Sequence, residues 1–470
     1  MKTIVWFRED LRLHDNPALH YAASAGSVAA IYVYPRGLGG ASKWWLDKSL
    51  SRLSEALNEQ GIELVLKTGS AEEILKRALD ESSADKVVWN RVYSPQGIAL
   101  GEAVKNNLGV ELTRSFNGLL LTEPSKIFNK QGTPFKVFTP YWRYCQSVIQ
   151  ARPIRDLPDL KAFDLDLKSD ALIDWGLHPQ QPDWSQGLEK RWVPGEQGAQ
   201  QRWQRFLDSA VRNYKEGRDF PATDNTSYLS AHLAFGEISA NQLWLDTHEA
   251  IATGHLDSQN GLKFLSEIGW REYSRYLLVH FPEIETEPFN KKFRNFPWQS
   301  NPQLLKAWQS GQTGYPIVDA GMRELWHTGY MHNRVRMVVA SFLTKHCLIH
   351  WREGADWFWD TLVDADIGSN TASWQWVAGC GADAAPYFRI FNPTLQSEKF
   401  DKNGEYLKRW LPELRDLPAK YIHKPSSAEQ SILTAANVVL GKDYPLPIVH
   451  HAAARADALQ AYSLSKQPFG

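Results

Sequence analysis

The sequence predicts an α/β plus all-α protein, in which an N-terminal doubly wound parallel sheet of Rossmann-like type is followed by a helical half. Three observations carry this. From Thr3 to about Arg114, short β-branched runs alternate with amphipathic helical patterns. From Ala151 to about Gly195, prolines interrupt a stretch with few periodic apolar positions, and beyond about Gly198 period-2 runs almost vanish. The expected domains are 1–130 for the α/β part, 131–197 for an interdomain connector and 198–470 for the helical part.

The expected strands are TIVWF, VAAIYVY, IELVLK, KVVW and VELTR, in that order. Between the second and third, Leu46, Leu50, Leu53 and Leu57 have the spacing of one apolar helical stripe laid on a sheet. No G-x-G-x-x-G follows the first strand, so a nicotinamide cofactor is not expected in this half. The connector carries Pro153, Pro158, Pro179, Pro182 and Pro194, and a linker of that length is uncommon unless it packs along a surface. In the second half Trp203, Phe206, Leu207 and Ala210 mark a helical apolar face. There is no internal repeat, and the last ten residues are expected to fray.

With 52 Lys+Arg against 53 Asp+Glu, the chain is not a globally basic nucleic-acid coat, although a local basic groove is compatible with that balance. Cys145, Cys347 and Cys380 have no C-x-x-C spacing, which speaks against a disulfide framework and a cysteine zinc site and for a reducing, cytoplasmic compartment. Charges fall within the first ten residues and no 18-residue apolar stretch occurs, so neither a signal peptide nor a membrane span is expected. The unusual count is 20 Trp, whose plain reading is an aromatic-rich core.

Four segments offer chemistry. In Glu216–Ser239, Thr226, Ser227 and Ser230 precede a helical pattern, where hydroxyls and unpaired N–H groups suit either a phosphate or an ordinary N-cap. In Phe264–Leu277, Glu267, Trp270 and Arg271 share a helical face at i,i+3 and i,i+4, alternatively a solvated ion pair beside a core Trp. In Met331–Trp351, Asn333 and Met337 share a face while Arg334 and Arg336 point elsewhere; His346 and His350 have i,i+4 spacing, but no intervening glutamate or third ligand is evident, so no metal is expected. In Asp360–Asp401, Asp364, Asp366 and Asn370 precede Trp374 and Trp376, which on a helix point about 200° apart. One tryptophan then faces inward and the other a cavity mouth, unless both are core. Arg389, Lys399, Lys402, Lys408 and Arg409 follow, either phosphate contacts or a solvated face.

Taken with the opening VWFREDLRLHDNPAL, the strings EGRDFPA, TSYLSAHLAFGEIS, WREYSRYL, TGYPIVDAGMRELW, MHNRVRM and WQWVAGCGADAAPYFRIFNP resemble the DNA photolyase and cryptochrome family across nearly the whole chain, most closely the cyclobutane-pyrimidine-dimer photolyases. The resemblance implies an antenna domain joined to a helical FAD domain, with reduced, noncovalent FAD. It places Tyr214, Thr226, Ser227, Leu229 and Ser230 at the ribose and phosphates, and Phe264, Arg271, Arg336, Asp364, Asp366 and Asn370 at the remaining flavin contacts. Asn370 would face flavin N5. It assigns the dimer cavity to Glu267, Trp270, Asn333, Arg334, Met337 and Trp376, DNA contacts to Arg218 and Gln396, and re-reduction of oxidised flavin to Trp374, Trp351 and Trp298. The implied reaction is light-driven electron transfer to a flipped-out dimer, splitting of its cyclobutane ring and return of the electron, with Glu267 stabilising the dimer radical anion.

That chemistry is consistent with the residues themselves, because a flavin supplies the electron and the chain shows no Ser/His/Asp order, H-E-x-x-H or P-loop. A lesion must be extruded and stacked, a task for which Trp270 and Trp376 are suited. GGASKWWLDKSL and SEIGWREYSRYL lean toward the branch near class III photolyases and plant cryptochromes. A cryptochrome photoreceptor is therefore the main rival, opposed by Trp270, Trp376 and the amide at Asn370. Repair of the (6-4) photoproduct would call for a His pair where His332 is followed by Asn333. A single-strand binder without flavin would be colourless. For the antenna the resemblance favours 5,10-methenyltetrahydrofolate, and Trp89 is either part of that site or a strand-end core residue. DNA carrying pyrimidine dimers is the expected partner, and the chain is expected to act as a monomer away from membranes.

Overall fold

The computed structural model describes residues 1–383 and 388–465. The strands are β1 (Lys2–Phe7), β2 (Ser27–Val33), β3 (Leu64–Lys67), β4 (Lys86–Asn90), β5 (Thr113–Phe116) and β6 (Lys161–Ala162). The helices are α1 (Pro17–Ala25), α2 (Gly40–Asn58), α3 (Ala71–Ser82), α4 (Pro95–Leu108), α5 (Phe138–Val148), α6 (Gln186–Arg191) and α7 (Glu196–Asp208). They continue as α8 (Tyr214–Gly217), α9 (Ser230–Ala234), α10 (Ala240–Ala252), α11 (Ser258–His280), α12 (Pro302–Gln309), α13 (Pro316–Thr328), α14 (Asn333–Ser341) and α15 (Trp351–Thr361). The remainder are α16 (Ile367–Ala378), α17 (Pro393–Phe400), α18 (Glu405–Trp410), α19 (Ala419–Ile422), α20 (Gln430–Ala435) and α21 (His451–Leu464).

The chain forms two compact units, one of 1–212, 227–282 and 363–368, the other of 213–226, 283–362 and 369–470. In the first, the strands pair in parallel in the order β3-β2-β1-β4-β5, the doubly wound arrangement expected. β1 and β2 are buried at almost every position, which is why they read as continuous apolar runs instead of alternating ones. The stripe Leu46, Leu50, Leu53 and Leu57 is buried on α2 and packs on one face of the sheet with Val5, Phe7 and Tyr32. Ile4, Trp6, Val87 and Trp89 belong to the core on the opposite face. Trp89 is 1% exposed and its ring lies 5.6 Å from that of Trp6, so it is the strand-end core residue of the two alternatives.

Two expectations need correction, and a third gains detail. The run VELTR is not one strand, because Val110–Leu112 makes a 3₁₀ turn after Gly109 and β5 starts only at Thr113. Within the connector, expected to pack along a surface if it holds no structure, β6 pairs with the N-terminal end of β2, Ser27 opposite Lys161, and α6 follows. The terminal fraying does not reach residues 461–464, since α21 continues to Leu464; residues 466–470 lie outside the described residues, as do residues 384–387 of the WQWVAGCGADAAPYFRIFNP string.

The second unit is helical, with two isolated bridges, Gln299 with Ile349 and Leu440 with Tyr444, as its extended pairing among the described residues. Between α14 and the start of α15 the chain widens into a π-helical turn over Phe342–His346. Among the described residues no helix is long and apolar enough to cross a membrane.

Candidate flavin and DNA-lesion site

In the first unit the site residues are organised by α11. Its N-cap Asp257 accepts the Asn260 N–H at 3.0 Å, and the helix then runs for 23 residues, long enough to place Glu267, Arg271 and Arg275 one turn apart on one side. Glu267 is half-buried and ion-paired with Lys263 at 2.9 Å. Trp270 is half-buried and stacks on Phe138 at 3.8 Å between ring centres. The Trp142 ring lies where a side chain on Gly269 would have to go, 2.6 Å from an added Cβ, so a glycine is required there for α5 to approach α11.

Arg271 donates through Nη1 to the Leu119 carbonyl at 3.0 Å and contacts Glu272 at 3.3 Å; burial brings its guanidinium down to about 10. Glu272 accepts the Leu121 N–H at 2.8 Å, and burial pushes its carboxyl up to about 7. Arg275 donates to Asp366 at 2.6 Å. Asp364 is buried in the same 363–368 segment as Asp366. Phe264 is buried against Trp203 and Phe206, whose rings lie 5.4 and 4.9 Å away.

The hydroxyl segment separates its two readings. α9 has five residues and its N-cap is Leu229, which offers no side-chain hydrogen bond, so Ser230 and its neighbours do not form an ordinary capping cluster. Ser227 Oγ accepts the Leu229 N–H at 3.4 Å, and the intervening Tyr228 has a φ of +53°. The Thr226 hydroxyl, in the second unit, is buried without a hydrogen-bond partner. A buried hydroxyl left unpaired is costly, and its presence in a donor-rich segment fits a polar ligand such as a nucleotide.

In the second unit α8, α14 and α16 carry the site residues. Tyr214 is buried under the Arg218 guanidinium, 5.6 Å from the ring centre. Asn333 is exposed at the start of α14; Arg334 donates to Asp219 at 2.8 Å, lies over the Phe400 ring at 4.3 Å, and reaches the Met337 sulfur at 3.7 Å. Arg336 turns back to the Met331 carbonyl at 2.7 Å. Gln396 is half-buried on α17. Of the basic residues near it, Arg389, Lys399, Lys402 and Arg409 are exposed and Lys408 is half-buried.

The helix α16 separates its two tryptophans as the angle predicts: Trp374 is 2% exposed, while Trp376 is half-buried. Asn370 donates through Nδ2 to the Ala355 carbonyl at 2.9 Å, which leaves its carbonyl oxygen as the group to accept from an N–H. Trp374 lies against Gly354, where an added Cβ would stand 2.1 Å from its ring. Trp351 begins the same helix as Gly354, and His350 touches both Trp351 and Trp298, with ring centres 5.5 and 5.1 Å away. Trp351 is buried and Trp298 half-buried, so the three tryptophans run from interior toward surface.

Several residues that fix the elements carrying the candidate site had no such role in the sequence reading. Gln375, between the two tryptophans, donates to the carbonyls of Ile284 and Glu287 at 2.6 and 2.9 Å and fixes α16. Lys345 is buried, donates to the last carbonyls of α16 at 3.1 and 2.7 Å, and is brought down to about 7 by burial. A cation at a helix C-terminus is favourable there. His332 and His350 are N-caps, their Nδ1 atoms accepting the N–H of Arg334 and Arg352 at 3.2 and 3.1 Å. The π turn breaks the i,i+4 register, so His346 hydrogen-bonds with His451 at 2.8 Å while His350 turns to the tryptophans. Among the described residues no group of three His, Cys, Asp or Glu side chains could hold a metal. An N-capping position before a helical run was a signal available for the two histidines; none existed for Gln375, Lys345, Arg275 or Asp219.

Residues 3–160 match the family described as DNA photolyase, and residues 264–464 the FAD binding domain of DNA photolyase. The chain belongs to the DNA photolyase and cryptochrome family. Its helical half thus contains the family's FAD-binding domain. A deoxyribodipyrimidine photo-lyase of Agrobacterium fabrum is 50% identical over 99% of this chain and 98% of that protein. Cryptochrome-2 of Arabidopsis thaliana is 38% identical over 99% of this chain and 79% of its own length. The crystal structure of a bacterial class III photolyase from Agrobacterium tumefaciens superposes with a TM-score of 0.96 at 50% identity, covering 99% and 98% of the two chains.

Proposed function

We propose that this protein repairs cyclobutane pyrimidine dimers in DNA by light, as a deoxyribodipyrimidine photo-lyase with bound FAD. The observation that carries the reading is α16, which holds a buried tryptophan, a half-buried tryptophan and an anchored amide on one rigid element. The unpaired Thr226 hydroxyl, with hydroxyl and guanidinium donors and carboxylate acceptors among the assigned residues, fits a flavin dinucleotide. FAD, when bound in its reduced anionic form, supplies a photoexcited electron that opens the cyclobutane ring and is returned.

The residues do the rest. Tyr214, Thr226, Ser227, Leu229 and Ser230 hold the ribose and phosphates; Phe264, Arg271, Arg336, Asp364 and Asp366 hold the remainder. With its amide nitrogen committed to Ala355, Asn370 offers a carbonyl oxygen to the flavin N5–H and no acidic proton. Trp270, braced by Phe138, and Trp376 stack on the extruded dimer, and Glu267, released from its Lys263 partner and donating as the carboxylic acid, hydrogen-bonds it and stabilises the negative charge it gains. Asn333, Arg334 and Met337 line the lesion, while Arg218 and Gln396 contact DNA. Trp374, Trp351 and Trp298 deliver electrons to oxidised flavin.

We propose the same division of labour for the domains, with light harvesting in 1–130, connection in 131–197 and catalysis in 198–470, and 5,10-methenyltetrahydrofolate as antenna. The three cysteines are free and buried, which supports a reducing compartment, and we propose the cytoplasm as that compartment and a monomer as the working form.

The deciding experiment is anaerobic blue-light treatment of an oligonucleotide carrying one thymine dimer, with the flavin reduced beforehand. Restored thymines, absent in the dark and absent with a (6-4) lesion, are expected. A flavin-bearing protein without repair would instead be a cryptochrome-type photoreceptor, and a colourless one a plain single-strand binder.

A further inference from the structure

The opening motif FREDLRLHDNPAL has no part in the reaction described above, yet it is tied by several hydrogen bonds to the segment that follows α9. The Leu11 N–H donates to the Phe235 carbonyl at 3.0 Å, Arg12 donates to the Gly236 carbonyl at 2.8 Å, and the Ser239 hydroxyl donates to Asp15 at 2.5 Å. Gly236, with a φ of +65°, passes so close beneath the loop that a Cβ would stand 2.0 Å from the Glu9 carbonyl oxygen.

From this loop Glu9 reaches α11. Its carboxylate accepts from Arg275 Nη1 at 3.1 Å, and the other arm of the same guanidinium, Nη2, donates to Asp366 at 2.6 Å. Arg275 is 4% exposed, and its Cγ lies 3.2 Å from where a Cβ on Gly368 would be, so its stem packs on the 363–368 segment as its head pairs within it. Glu9 is more open, its side chain 39% exposed. One buried cation is therefore shared between a carboxylate of the β1 loop and a carboxylate assigned to the flavin.

We infer that Arg275 is a positioning residue that sets Asp366 and transmits the charge of Glu9 to the flavin, so that the loop after β1 tunes the flavin's reduction potential. This rests on the assignment of FAD to the chain. Two carboxylates on one guanidinium leave a net negative charge near the flavin, which opposes its gaining an electron. Without the Glu9 charge, Arg275 and Asp366 form a neutral pair and reduction becomes easier. Arg271 and Glu272, which also face this cluster from α11, stay in place. Guanidinium geometry matters, because an ammonium is a point charge without the planar fork that reaches both carboxylates.

The test uses the full chain with FAD. Glu9→Gln, at a partly exposed position, is expected to keep FAD and raise its one-electron midpoint potential by ~30 mV, about a threefold change in the reduced-to-oxidised ratio at fixed potential. Arg275→Lys is expected to weaken FAD binding by the apoprotein several-fold, read by flavin fluorescence, because Asp366 loses its fixed partner. A brace with only a structural role would lower the melting temperature of Glu9→Gln and leave the potential alone. An unmoved or lowered potential in Glu9→Gln with FAD bound overturns the inference. A wild-type chain that fails to bind FAD overturns the flavin assignment instead.

Discussion

His332 shows how much can hang on one proton. It is 2% exposed and accepts the Arg334 N–H through Nδ1, a bond that only the imidazole with an unprotonated Nδ1 can make. Burial first of all, with nearby arginines adding to it, brings the ring down to about 4. The sign follows: the folded state prefers the neutral ring, so this contribution to stability is complete above the unfolded value of about 6.5 and is lost as pH falls through about 4. In that window it amounts to about 1.4 kcal/mol per pH unit. Asn keeps the capping acceptor without titrating. His332→Asn should therefore flatten the acid slope of urea unfolding between pH 6.5 and 4 by about one proton, and a slope equal to wild type would contradict the neutral cap. At the lesion, Trp376→Ala should weaken binding to dimer-containing DNA by ~1–3 kcal/mol, as loss of one stacking face does, measured by titration in the dark. Unchanged affinity would remove Trp376 from the lesion.

At the scale of elements, α15, α16 and the π turn work as a set. The π turn carries Lys345 to the end of α16 and directs His346 to His451. The chain then caps α15 with His350, whose ring rests on both Trp351 and Trp298. The proposed electron route along Trp374, Trp351 and Trp298 relies on this order of helices. Trp298→Phe should slow photoreduction of oxidised flavin while leaving repair by pre-reduced protein intact; flash spectroscopy showing ordinary photoreduction would reject the route. Fixed at its interior by Gln375 and at its end by Lys345, α16 has little freedom to reorient Asn370 and the tryptophans, the rigidity that the proposed stacking and electron-transfer roles require.

For the whole molecule, ligand binding and stability are linked by mass action. A group that binds only the folded chain at a hundredfold its Kd adds about 2.7 kcal/mol to stability. Denaturant unfolding of apoprotein with FAD at that concentration should show a rise of this order, and none at all would exclude FAD as a specific ligand. The net charge of −1 gives no long-range pull on DNA, so any binding must come from local contacts such as the exposed Lys399, Lys402 and Arg409. The likeness to a class III photolyase in structure and to a plant cryptochrome in sequence leaves the chemistry of single positions, Asn370 and Trp376 above all, to distinguish repair from signalling.

What the sequence determined alone was everything governed by local period and spacing. Four short β-branched runs specify buried strands because a strand covered on both faces reads as continuously apolar, and the leucine stripe specifies a helix because burial on one helical face repeats every 3.6 residues. The i,i+3 and i,i+4 placement of Glu267, Trp270 and Arg271, and the opposed faces of Trp374 and Trp376, follow from helix geometry in the same way. The tertiary structure decided what depends on chain segments meeting from far away. Glu9 and Arg275 are 266 positions apart, and Lys345 lies 33 positions before the carbonyl of Ala378 that it caps. β6 joins β2 through a register that no two-residue run announces. A buried charge must be paired within the fold, and which partner it finds is set by packing, not by its neighbours in sequence.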